Sequence, residues 1–471
     1  MKNLLQTITI LLLLVSVVFP QTTTIQLPTK DNTSSDFSVT NSDGTNLLKL
    51  NADGGLLIEG IHGTGSIPKE GAGSRLMWYP GKSAFRAGYV SGIGWNDQYI
   101  GQYSVALGNN VFAIGSYSTA MGFNNEASGD YSTAMGILVK SSGEFSTAIG
   151  NGSTASGQNS TAMGESSTAS GSNSTAMGYS TNATELYSTA MGRNTTAGGN
   201  SSTAMGYYTT ASGEYSVAMG NHTTASASNS TAIGYYTSAS GDYSTAMGYY
   251  TTASGTYSVA MGKSASTNGK SGSFVFCDNS LAVDETLLSS ANNQMTMLFE
   301  GGYKLYTSDD LTTGAYMGMY NNGWSAVSDS TKKENIITAD GEEFLSSISK
   351  IRLGSWNYKS SPKELRHYGP MAQDIFHYFG NDDKGVIGCD TLLSTGDMDG
   401  IMMIAIKALE KRTEQLKIKN EELVSANKEL AKENAKLKKN SELVSDRISK
   451  LEEALNGLIE RKTEFVKISS K

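Results

Sequence analysis

A glycine recurs every 14 residues, twelve times in succession, from Gly108 to Gly262. Each glycine closes a variant of the string S-T-A-M-G, as at Ser118–Gly122. A constant short period indicates identical turns stacked on one another rather than one globular core, so this part of the chain is predicted to be a solenoid. Rod-like repeat proteins of this kind more often display binding sites, extend from a surface or adhere to other molecules than catalyse reactions.

Alternation along S-T-A-M-G places Ser, Ala and Gly on one face of a strand and Thr and Met on the other. The small face suits a narrow coil interior, where another backbone must come close. A second half-repeat, A-S-G at Ala155–Gly157 and equivalent positions, predicts two turns and two strands of about five residues in each unit. Twelve coils spaced at about 4.8 Å would extend about 57 Å.

The outward Met and Ile residues form a column that has to be buried against something. An identical neighbouring chain is the obvious partner, so burial alone predicts a homo-oligomer. The accompanying Thr column, which begins at Thr119, has an alternative interpretation as a flat ice-binding face. The Met/Ile column consists of Met121, Met135, Ile149, Met163, Met177, Met191, Met205, Met219, Ile233, Met247 and Met261.

This period, with N-S-T-A-M-G at Asn159–Gly164 and N-S-T-A-I-G at Asn229–Gly234, resembles the head repeats of YadA-like trimeric adhesins. The resemblance covers residues 101–269. It implies a left-handed parallel β-roll in which three chains lie side by side. It also implies a ligand in the extracellular matrix or a surface glycan.

Residues 1–20 are predicted to be a secretory signal peptide, because Lys2 supplies a positive start and Ile8–Phe19 an apolar run. That run is too short to span a bilayer comfortably, and no second one occurs in the sequence. The mature chain is therefore expected to contain no membrane span and to be secreted, either extracellular or at a cell surface.

Residues 22–100 alternate short apolar runs, such as Leu47–Leu50 and Leu56–Ile58, with turn clusters, which predicts a β-rich region. Its most aromatic stretch, Arg75–Gly88, is interpreted as packing for the first layers of the fibre, with a binding surface as the alternative. Residues 270–327 contain strand-like runs without the 14-residue period and are predicted to be a β-rich neck.

Charge and metal-binding residues exclude several functions. A net charge of −8 over 471 residues gives no reason to expect a nucleic-acid partner. The two cysteines, Cys277 and Cys389, have no metal-ligand spacing and are interpreted as unrelated thiols, with a disulfide as the alternative. The four histidines form no ligand pattern either, so no cofactor and no metal are predicted.

The candidate chemistry lies in the string SDSTKKENI, which begins at Ser328. A serine hydroxyl becomes a nucleophile when a base removes its proton, and Lys333 with a depressed pKa could be that base. The same string has a structural interpretation as a helix N-terminus, in which Thr331 and Glu334 form a capping box. From the motif alone the structural interpretation is favoured.

The context favours the chemical interpretation. SDSTKKENI, followed by HYGPMAQDI at His367–Ile375 and an apolar run into heptads, resembles the self-cleaving intramolecular chaperone of bacteriophage tail fibres and endosialidases. That family assists trimerisation of the fibre ahead of it and then cuts itself off. The resemblance implies Ser328 as nucleophile, Lys333 as general base and Val327–Ser328 as the scissile bond. Thr331 stands where the family has Arg.

The family motif Y-G-x-x-A-Q also matches, and its residues are interpreted as structural. Gly369 and Ala372 are expected to allow close packing near the cleavage site. The matching residues are Tyr368, Gly369, Ala372 and Gln373.

Residues 401–465 carry a heptad pattern that predicts one helix about 98 Å long in a parallel coiled coil. The a positions are mostly polar, which fixes register. Asn at position a favours dimers, but both family resemblances imply a trimer, which is the prediction adopted. The d positions are Leu409, Leu416, Leu423, Leu430, Leu437, Val444, Leu451 and Leu458, and the a positions are Ile406, Thr413, Asn420, Asn427, Asn434, Ser441, Ile448 and Leu455.

The predicted fold is therefore mainly β: a trimeric left-handed parallel β-roll with a C-terminal α+β chaperone (residues 328–400) and a coiled coil. The predicted function is a secreted, adhesin-like homotrimeric fibre whose chaperone cleaves itself off once, in cis, without acting on other proteins. The alternative is an uncleaved structural surface fibre. No nucleophile, histidine and acid set for a trans-acting hydrolase occurs in the repeats.

Overall fold

The computed structural model describes residues 24–26, 37–40, 42, 44, 46–51, 55–282, 284–309, 311, 313–326, 330–359, 361–382 and 385–469. The predicted signal peptide lies outside these residues. The chain folds as two units. The first contains Met1–Tyr303 with Gly318–Tyr320, and the second contains Lys304–Met317 with Asn321–Lys471.

The first unit opens with an antiparallel sheet of four short strands in sequential order. The apolar runs that predicted strands in this region do form them, because short runs bounded by turn residues pair readily with their neighbours. Strands therefore occur in the described parts of this region, and its bounds as a separate domain remain a prediction. The strands are Thr24–Gln26, Phe37–Thr40, Asn46–Leu50 and Leu56–Ile58.

The repeats form a parallel β-solenoid, as predicted, and S-T-A-M-G supplies the long strand of every turn. Successive long strands pair in parallel and in register, so that Thr161 lies opposite Thr175, and Met163 opposite Met177. The long strands are Val105–Asn109, Thr119–Phe123, Thr133–Ile137, Thr147–Asn151, Thr161–Glu165, Thr175–Tyr179, Thr189–Arg193, Thr203–Tyr207, Val217–Asn221, Thr231–Tyr235, Thr245–Tyr249 and Val259–Lys263.

The second strand of each turn has two residues, so the prediction of two five-residue strands per unit is wrong. The short strand ends at the alanine of the A-S-G half-repeat. The residues that follow form a turn, which contains a left-handed residue and has to fit before the serine of the next S-T-A-M-G. The short strands stack as a second parallel sheet. They are Phe112–Ala113, Glu126–Ala127, Lys140–Ser141, Thr154–Ala155, Thr168–Ala169, Asn182–Ala183, Thr196–Ala197, Thr210–Ala211, Thr224–Ala225, Ser238–Ala239, Thr252–Ala253, Ala265–Ser266 and Leu287–Leu288.

The interior of the solenoid is as narrow as the sequence predicted. The alanines of both sheets, such as Ala162 and Ala169, are fully buried, and so are the serines that precede the long strands. In several turns the serine hydroxyl donates to the carbonyl three residues earlier, as Ser118 Oγ does to Gly115 O at 2.6 Å. The small face is therefore the inside, and Thr and Met lie outside.

The recurring glycine is required by both conformation and space. In all twelve turns its φ lies between 94° and 134°, a range that side chains rarely adopt. A Cβ placed on Gly178 would lie 2.0 Å from the carbonyl oxygen of Gly192 in the next turn. No other residue fits this position without displacing the adjoining backbone.

An antiparallel hairpin, Gly73–Tyr79 with Ala84–Val90, closes the N-terminal end of the long-strand sheet. Behind it Arg86 is fully buried and donates to Ser104 O and to Ala113 O, both at 2.9 Å. Desolvation lowers the pKa of Arg86 to about 10. Because Arg86 pairs with backbone carbonyls, the prediction that this aromatic stretch packs the first layers is confirmed.

The stack continues beyond the regular repeats. Phe274–Cys277 pairs in parallel with the last long strand, and Met295–Leu298 pairs with Phe274–Cys277. Their spacing departs from 14 residues, which is why the sequence did not place them in the solenoid. Cys277 is buried there and, like Cys389 in the second unit, is a free thiol, as the favoured interpretation of the cysteines held.

The described residues of the second unit contain short strands and three α-helices, named α1 (Gly341–Ile348), α2 (Ala372–Phe379) and α3 (Thr395–Ile468). Asp340 caps α1 and Ser394 caps α3 with their side chains. Among the described residues, no helix is apolar over a length that would cross a membrane. The strands are Tyr303–Tyr306, Gly314–Met317, Ser325–Ala326, Leu353–Trp356, His367–Pro370, Asn381–Asp382 and Gly385–Val386.

Candidate functional site

The predicted cleavage motif is only partly described. Ser330–Lys332 forms one turn of 3-10 helix, and the backbone N–H of Lys333 donates to Ser330 O at 3.3 Å. The Lys333 side chain is exposed. Val327 and Ser328 lie outside the described residues, so the Ser328–Lys333 dyad and the Val327–Ser328 bond remain predictions.

The structural alternative for this motif, a helix capped by Thr331 and Glu334, is wrong. After the 3-10 turn, Asn335 adopts a left-handed conformation with a φ of 57°, which ends a right-handed helix. The chain stays non-helical until Asp340, whose carboxylate accepts the N–H of Glu342 at 2.9 Å and starts α1. The string therefore does not begin a long helix, and the capping box does not account for it.

The second motif forms a strand and the start of a helix. His367–Pro370 pairs antiparallel with Leu353–Trp356, and α2 follows directly. Gly369 has a φ of 153°, and a Cβ placed on it would have no atom within 4 Å. The glycine is therefore required for backbone conformation, and the close packing predicted for it is not present within one chain.

The structural role predicted for the remaining motif residues holds only in part. Ala372 is half-buried at the start of α2, whereas Gln373 is exposed and Tyr368 is 82% exposed. Neither Tyr368 nor Gln373 contributes to a core in a single chain. Sequence reasoning gave these two residues a structural role, and neither side chain is buried within one copy of the protein.

An ion pair that the sequence did not predict joins α2 to Arg352, the residue just before the strand Leu353–Trp356. Arg352 donates two hydrogen bonds to Asp374, from Nε to Oδ2 at 3.0 Å and from Nη2 to Oδ1 at 2.9 Å. These bonds hold the pKa of Asp374 below its usual value and raise the pKa of Arg352. Planar two-point pairing of this kind fixes orientation as well as distance.

Helix α1 packs against the beginning of α3. A Cβ on Gly341 would lie 2.8 Å from the Cβ of Ala408, so the glycine lets the two helices approach closely. Arg412 of α3 also pairs with the carboxylate of Glu342. Ile401, Ala405 and Ala408 are buried as a result, and the 74-residue helix α3 is anchored at its N-terminal end.

Beyond that anchor, α3 presents an apolar seam. All eight predicted d residues are 51–69% exposed in the single chain. They repeat every seven residues along one face, which is the pattern that packs helix against helix in a coiled coil. The continuous helix was predicted from the sequence, and its partner helices are inferred below.

The outer face of the solenoid carries the Met/Ile column where the sequence predicted it. The side chains are half-buried or slightly more exposed, with Met163 and Met177 at 37%. The Thr residues form a second column on the same face, in register with the methionines. The face thus presents an apolar Met/Ile column beside a threonine column.

Aromatic residues stack along the corners of the solenoid, a feature that the sequence analysis missed. Rings in consecutive turns lie 4.7–4.8 Å apart in the series His62, Tyr103, Tyr117, Tyr131, Phe145. A second series contains Tyr208, His222, Tyr236 and Tyr250. Apart from His62, which lies 41 residues before Tyr103, the members of each series are 14 residues apart, and this spacing was the available signal. These regularly spaced residues occupy left-handed positions, and stacking stabilises them there.

Comparison with known families agrees with both resemblances. Seven segments match the YadA head domain repeat: residues 113–137, 141–166, 155–181, 169–195, 183–209, 211–237 and 239–265. Residues 328–381 match the family described as chaperone of endosialidase. No curated protein matches the chain. Both family assignments made from the sequence are confirmed, and together they indicate a fibre- or adhesin-like protein with a chaperone domain.

Proposed function

We propose that the protein is a secreted, adhesin-like homotrimeric fibre whose C-terminal chaperone aligns three chains and then removes itself. The proposal rests mainly on the occurrence of the two matched domains in one chain, the solenoid ahead of the chaperone. The apolar column on the solenoid and the apolar seam on α3 support it, because each needs a partner chain for burial.

The proposed cut breaks the Val327–Ser328 bond, and both reacting side chains lie on its C-terminal side. The Ser328 hydroxyl attacks the Val327 carbonyl carbon while the Lys333 amine takes its proton. The amide nitrogen then accepts a proton and leaves as the new α-amino group of Ser328, and an ester joins Val327 to the serine oxygen. Water hydrolyses that ester and releases the carboxylate of Val327.

Intact-mass measurement of the purified chain tests the cut. We expect two fragments that meet at Val327–Ser328, and one uncut chain for Ser328→Ala and for Lys333→Ala. Ser330→Ala is the matched control and should still be cut. Thr331→Arg, which restores the family residue, should speed the cut. Continued processing at this bond in either alanine variant would contradict the dyad, and an uncut wild-type chain would favour the uncleaved structural fibre.

The proposed trimer buries the Met/Ile column. Burying one such side chain contributes roughly 1.5–3 kcal/mol, so repetition along the column can dominate association. Met177→Asp with Met191→Asp should dissociate or misfold the fibre, because two carboxylates would be buried without partners. The matched control is Ser156→Asp with Ser170→Asp, at exposed sites beside the short strands. Light scattering that finds an intact trimer in the methionine variant would place the column outside the interface.

The chaperone is proposed to be needed for assembly and not for persistence. Registering three β-solenoids is slow, and a parallel coiled coil raises the effective concentration of the chains. A chain that ends at Val327 before folding should aggregate or remain monomeric, whereas the fibre released by the natural cut should stay trimeric. Size-exclusion chromatography with light scattering distinguishes these outcomes. Soluble trimers formed without residues 328–471 would contradict the proposal.

A further inference from the structure

The corner directly before each S-T-A-M-G variant carries a column of side chains, one from every turn. Where consecutive members are aromatic, their rings stack with centres 4.7–4.9 Å apart. Farther along, the aromatic residue recurs only in every second turn, and the column has two openings. Each opening is called a slot. One lies between Tyr187 and Tyr215, on either side of Ser201, and the other lies between Tyr215 and Tyr243, on either side of Asn229.

The backbone keeps the members of this column in line. Tyr215, Asn229 and Tyr243 share a left-handed conformation with φ of 55–56°. The N–H of Asn229 donates to Glu214 O at 2.8 Å, and that of Tyr243 donates to Ser228 O at 2.9 Å. Because neighbouring strands lie about 4.8 Å apart, a planar group midway between the two tyrosines would lie about 4.8 Å from each ring. Both tyrosine side chains are more than half exposed, so a ligand can reach the slot from solvent.

Another column, at the ends of the long strands, shows which group fits between two tyrosines. Tyr179, Arg193 and Tyr207 occupy equivalent positions in three successive turns. The guanidinium carbon of Arg193 lies 5.4 Å from the centre of the Tyr179 ring and 5.5 Å from that of Tyr207. Both distances lie within the range of about 6 Å over which a cation is attracted to an aromatic ring. An arginine side chain therefore fits between tyrosines that are two turns apart.

Each slot also has a carboxylate beside it. Asp242 directly precedes Tyr243, and its Oδ1 accepts the N–H of Ser228 at 3.2 Å, so this carboxylate lies at the level of the turn that carries Asn229. Glu214 holds the same sequence position in the other slot. Both acidic side chains are exposed, and neither forms an ion pair with a described residue. A negative charge beside two aromatic rings favours a cation over a neutral aromatic group.

We propose that the two slots bind arginine side chains from a basic segment of a partner protein. Each guanidinium lies between two tyrosine rings and pairs with the adjacent carboxylate, Asp242 in one slot and Glu214 in the other. The slots share Tyr215 and lie about 9.6 Å apart. Two arginines three residues apart in an extended chain are separated by about 10 Å, which matches this distance. The assignment deepens the adhesive function proposed above and rests on it for the extracellular partner.

Saturation-transfer NMR with the full-length chain after its own processing tests the slots. The probe is the peptide acetyl-Arg-Gly-Gly-Arg-amide, and three comparison peptides replace both arginines by lysine, citrulline or tyrosine. We expect saturable binding of the arginine peptide and at least about fivefold weaker binding of each comparison peptide, because lysine is not planar and the other two are not charged.

Two substitutions test the rings and the charge separately. Tyr215→Leu removes one ring from both slots and should weaken binding of the arginine peptide about fivefold or more. Tyr131→Leu, in the continuous part of the same column, is its matched control and should leave binding unchanged. Asp242→Asn keeps an acceptor for the N–H of Ser228 but removes the charge, and it should weaken binding about two- to fivefold.

Filling the slots gives a test that keeps the solenoid intact. Ser201→Tyr with Asn229→Tyr completes the aromatic column and should abolish binding, and tyrosine already occupies this left-handed corner in other turns. Asn159→Tyr with Asn173→Tyr is the matched control, because it adds two tyrosines to the same column outside the slots. Binding of the arginine peptide that is absent, is matched by a comparison peptide, or persists in the filled variant would overturn the assignment. Intact mass and sedimentation of the same preparation report cleavage and trimerisation separately, so failure of the slots is distinguishable from failure of the proposed function.

Discussion

The solenoid and the C-terminal unit differ in how much of their structure one chain completes. In the solenoid, alanines from turn after turn are fully buried within a single chain. In the C-terminal unit, the described apolar residues that are buried are Ile375, Ile401, Ala405 and Ala408, while the leucines along α3 remain exposed. The interior of one region therefore finds its packing partners in its own next turn, whereas the other leaves an apolar seam that a single chain does not cover.

This difference follows from the range of the contacts. Each solenoid turn rests on the turn 14 residues away, so its interior is specified locally and repeats with the sequence. A 74-residue helix with its apolar seam in water gains little from its own backbone, because most helix stability in proteins comes from packing. The chain thus combines a region whose turns pack on one another with a region whose exposed apolar seam is suited to association with other copies of the chain.

The largest effect is expected from the glycine column. Gly192→Ala requires a φ near 117° and places a methyl group 2.1 Å from Gly206 O, so it should destabilise the solenoid by at least about 3 kcal/mol. Gly198→Ala, in the same turn, has no atom closer than 3.8 Å and should be tolerated. Thermal unfolding followed by circular dichroism compares the two variants. Equal midpoints would mean that stacking does not depend on this glycine.

A second prediction tests whether α3 needs partner chains along its seam. Leu430 and Ile418 are about equally exposed in one chain, at 55% and 50%, but only Leu430 lies at a d position. Leu430→Asp should abolish or strongly weaken association of the uncut Ser328→Ala chain, because the carboxylate would enter a buried seam. Ile418→Asp should leave association unchanged. Analytical ultracentrifugation measures both, and similar behaviour of the two variants would remove the seam from the interface.

The regular part of the fold could be predicted because one short period determined it. Alternation within S-T-A-M-G correctly assigned the inside and outside of every turn, and the heptads correctly indicated the long helix. The turns around Phe274–Cys277 and Met295–Leu298 were missed because their spacing is irregular. The aromatic stacks were missed because a left-handed tyrosine is locally unfavourable, and only the neighbouring turn stabilises it.

The candidate site was less predictable because its residues depend on tertiary context. The capping box at Thr331 obeyed the local rules for a helix start, yet Asn335 adopts a left-handed conformation and ends the turn. Arg352 and Asp374 form an ion pair although they are 22 positions apart, and no repeating pattern in the sequence indicates that they pair. Motif resemblance identified the segment, whereas spacing alone did not predict its conformation.

A smaller effect is expected from the buried threonines, and it tests how well one chain completes the interior of the solenoid. Thr209 is fully buried, and its hydroxyl has no hydrogen-bond partner among the described residues. Val111 and Val139 occupy the equivalent position in other turns. Thr209→Val should therefore stabilise the solenoid by about 1 kcal/mol, because an unpaired buried hydroxyl is removed at nearly constant volume.

The matched control for Thr209→Val is Thr181→Val. The Thr181 hydroxyl donates to Ser167 Oγ at 2.9 Å, so its removal should destabilise the same structure by about 1 kcal/mol. Chemical denaturation of the two variants beside the wild type measures the opposite signs. If both variants are less stable, the Thr209 hydroxyl has a partner in solution, such as an internal water molecule.

The smallest effect is expected at the ion pair that fastens α2. The Arg352 side chain is 77% exposed, so solvent screens much of its attraction to Asp374. Folding lowers the pKa of Asp374, so its stabilisation is present above the unfolded carboxyl pKa of about 3.9 and is lost as the pH falls through the lower folded value. Asp374→Asn should thus slightly lower the unfolding midpoint of the C-terminal unit at pH 7, and the difference should shrink as the pH falls below about 4 and disappear below the folded pKa of Asp374. Asp446→Asn, which loses an exposed pair with Lys450 along α3, is the control and should change less at either pH. An Asp374→Asn difference that persists at low pH would mean that the side chain acts through packing and not through its charge.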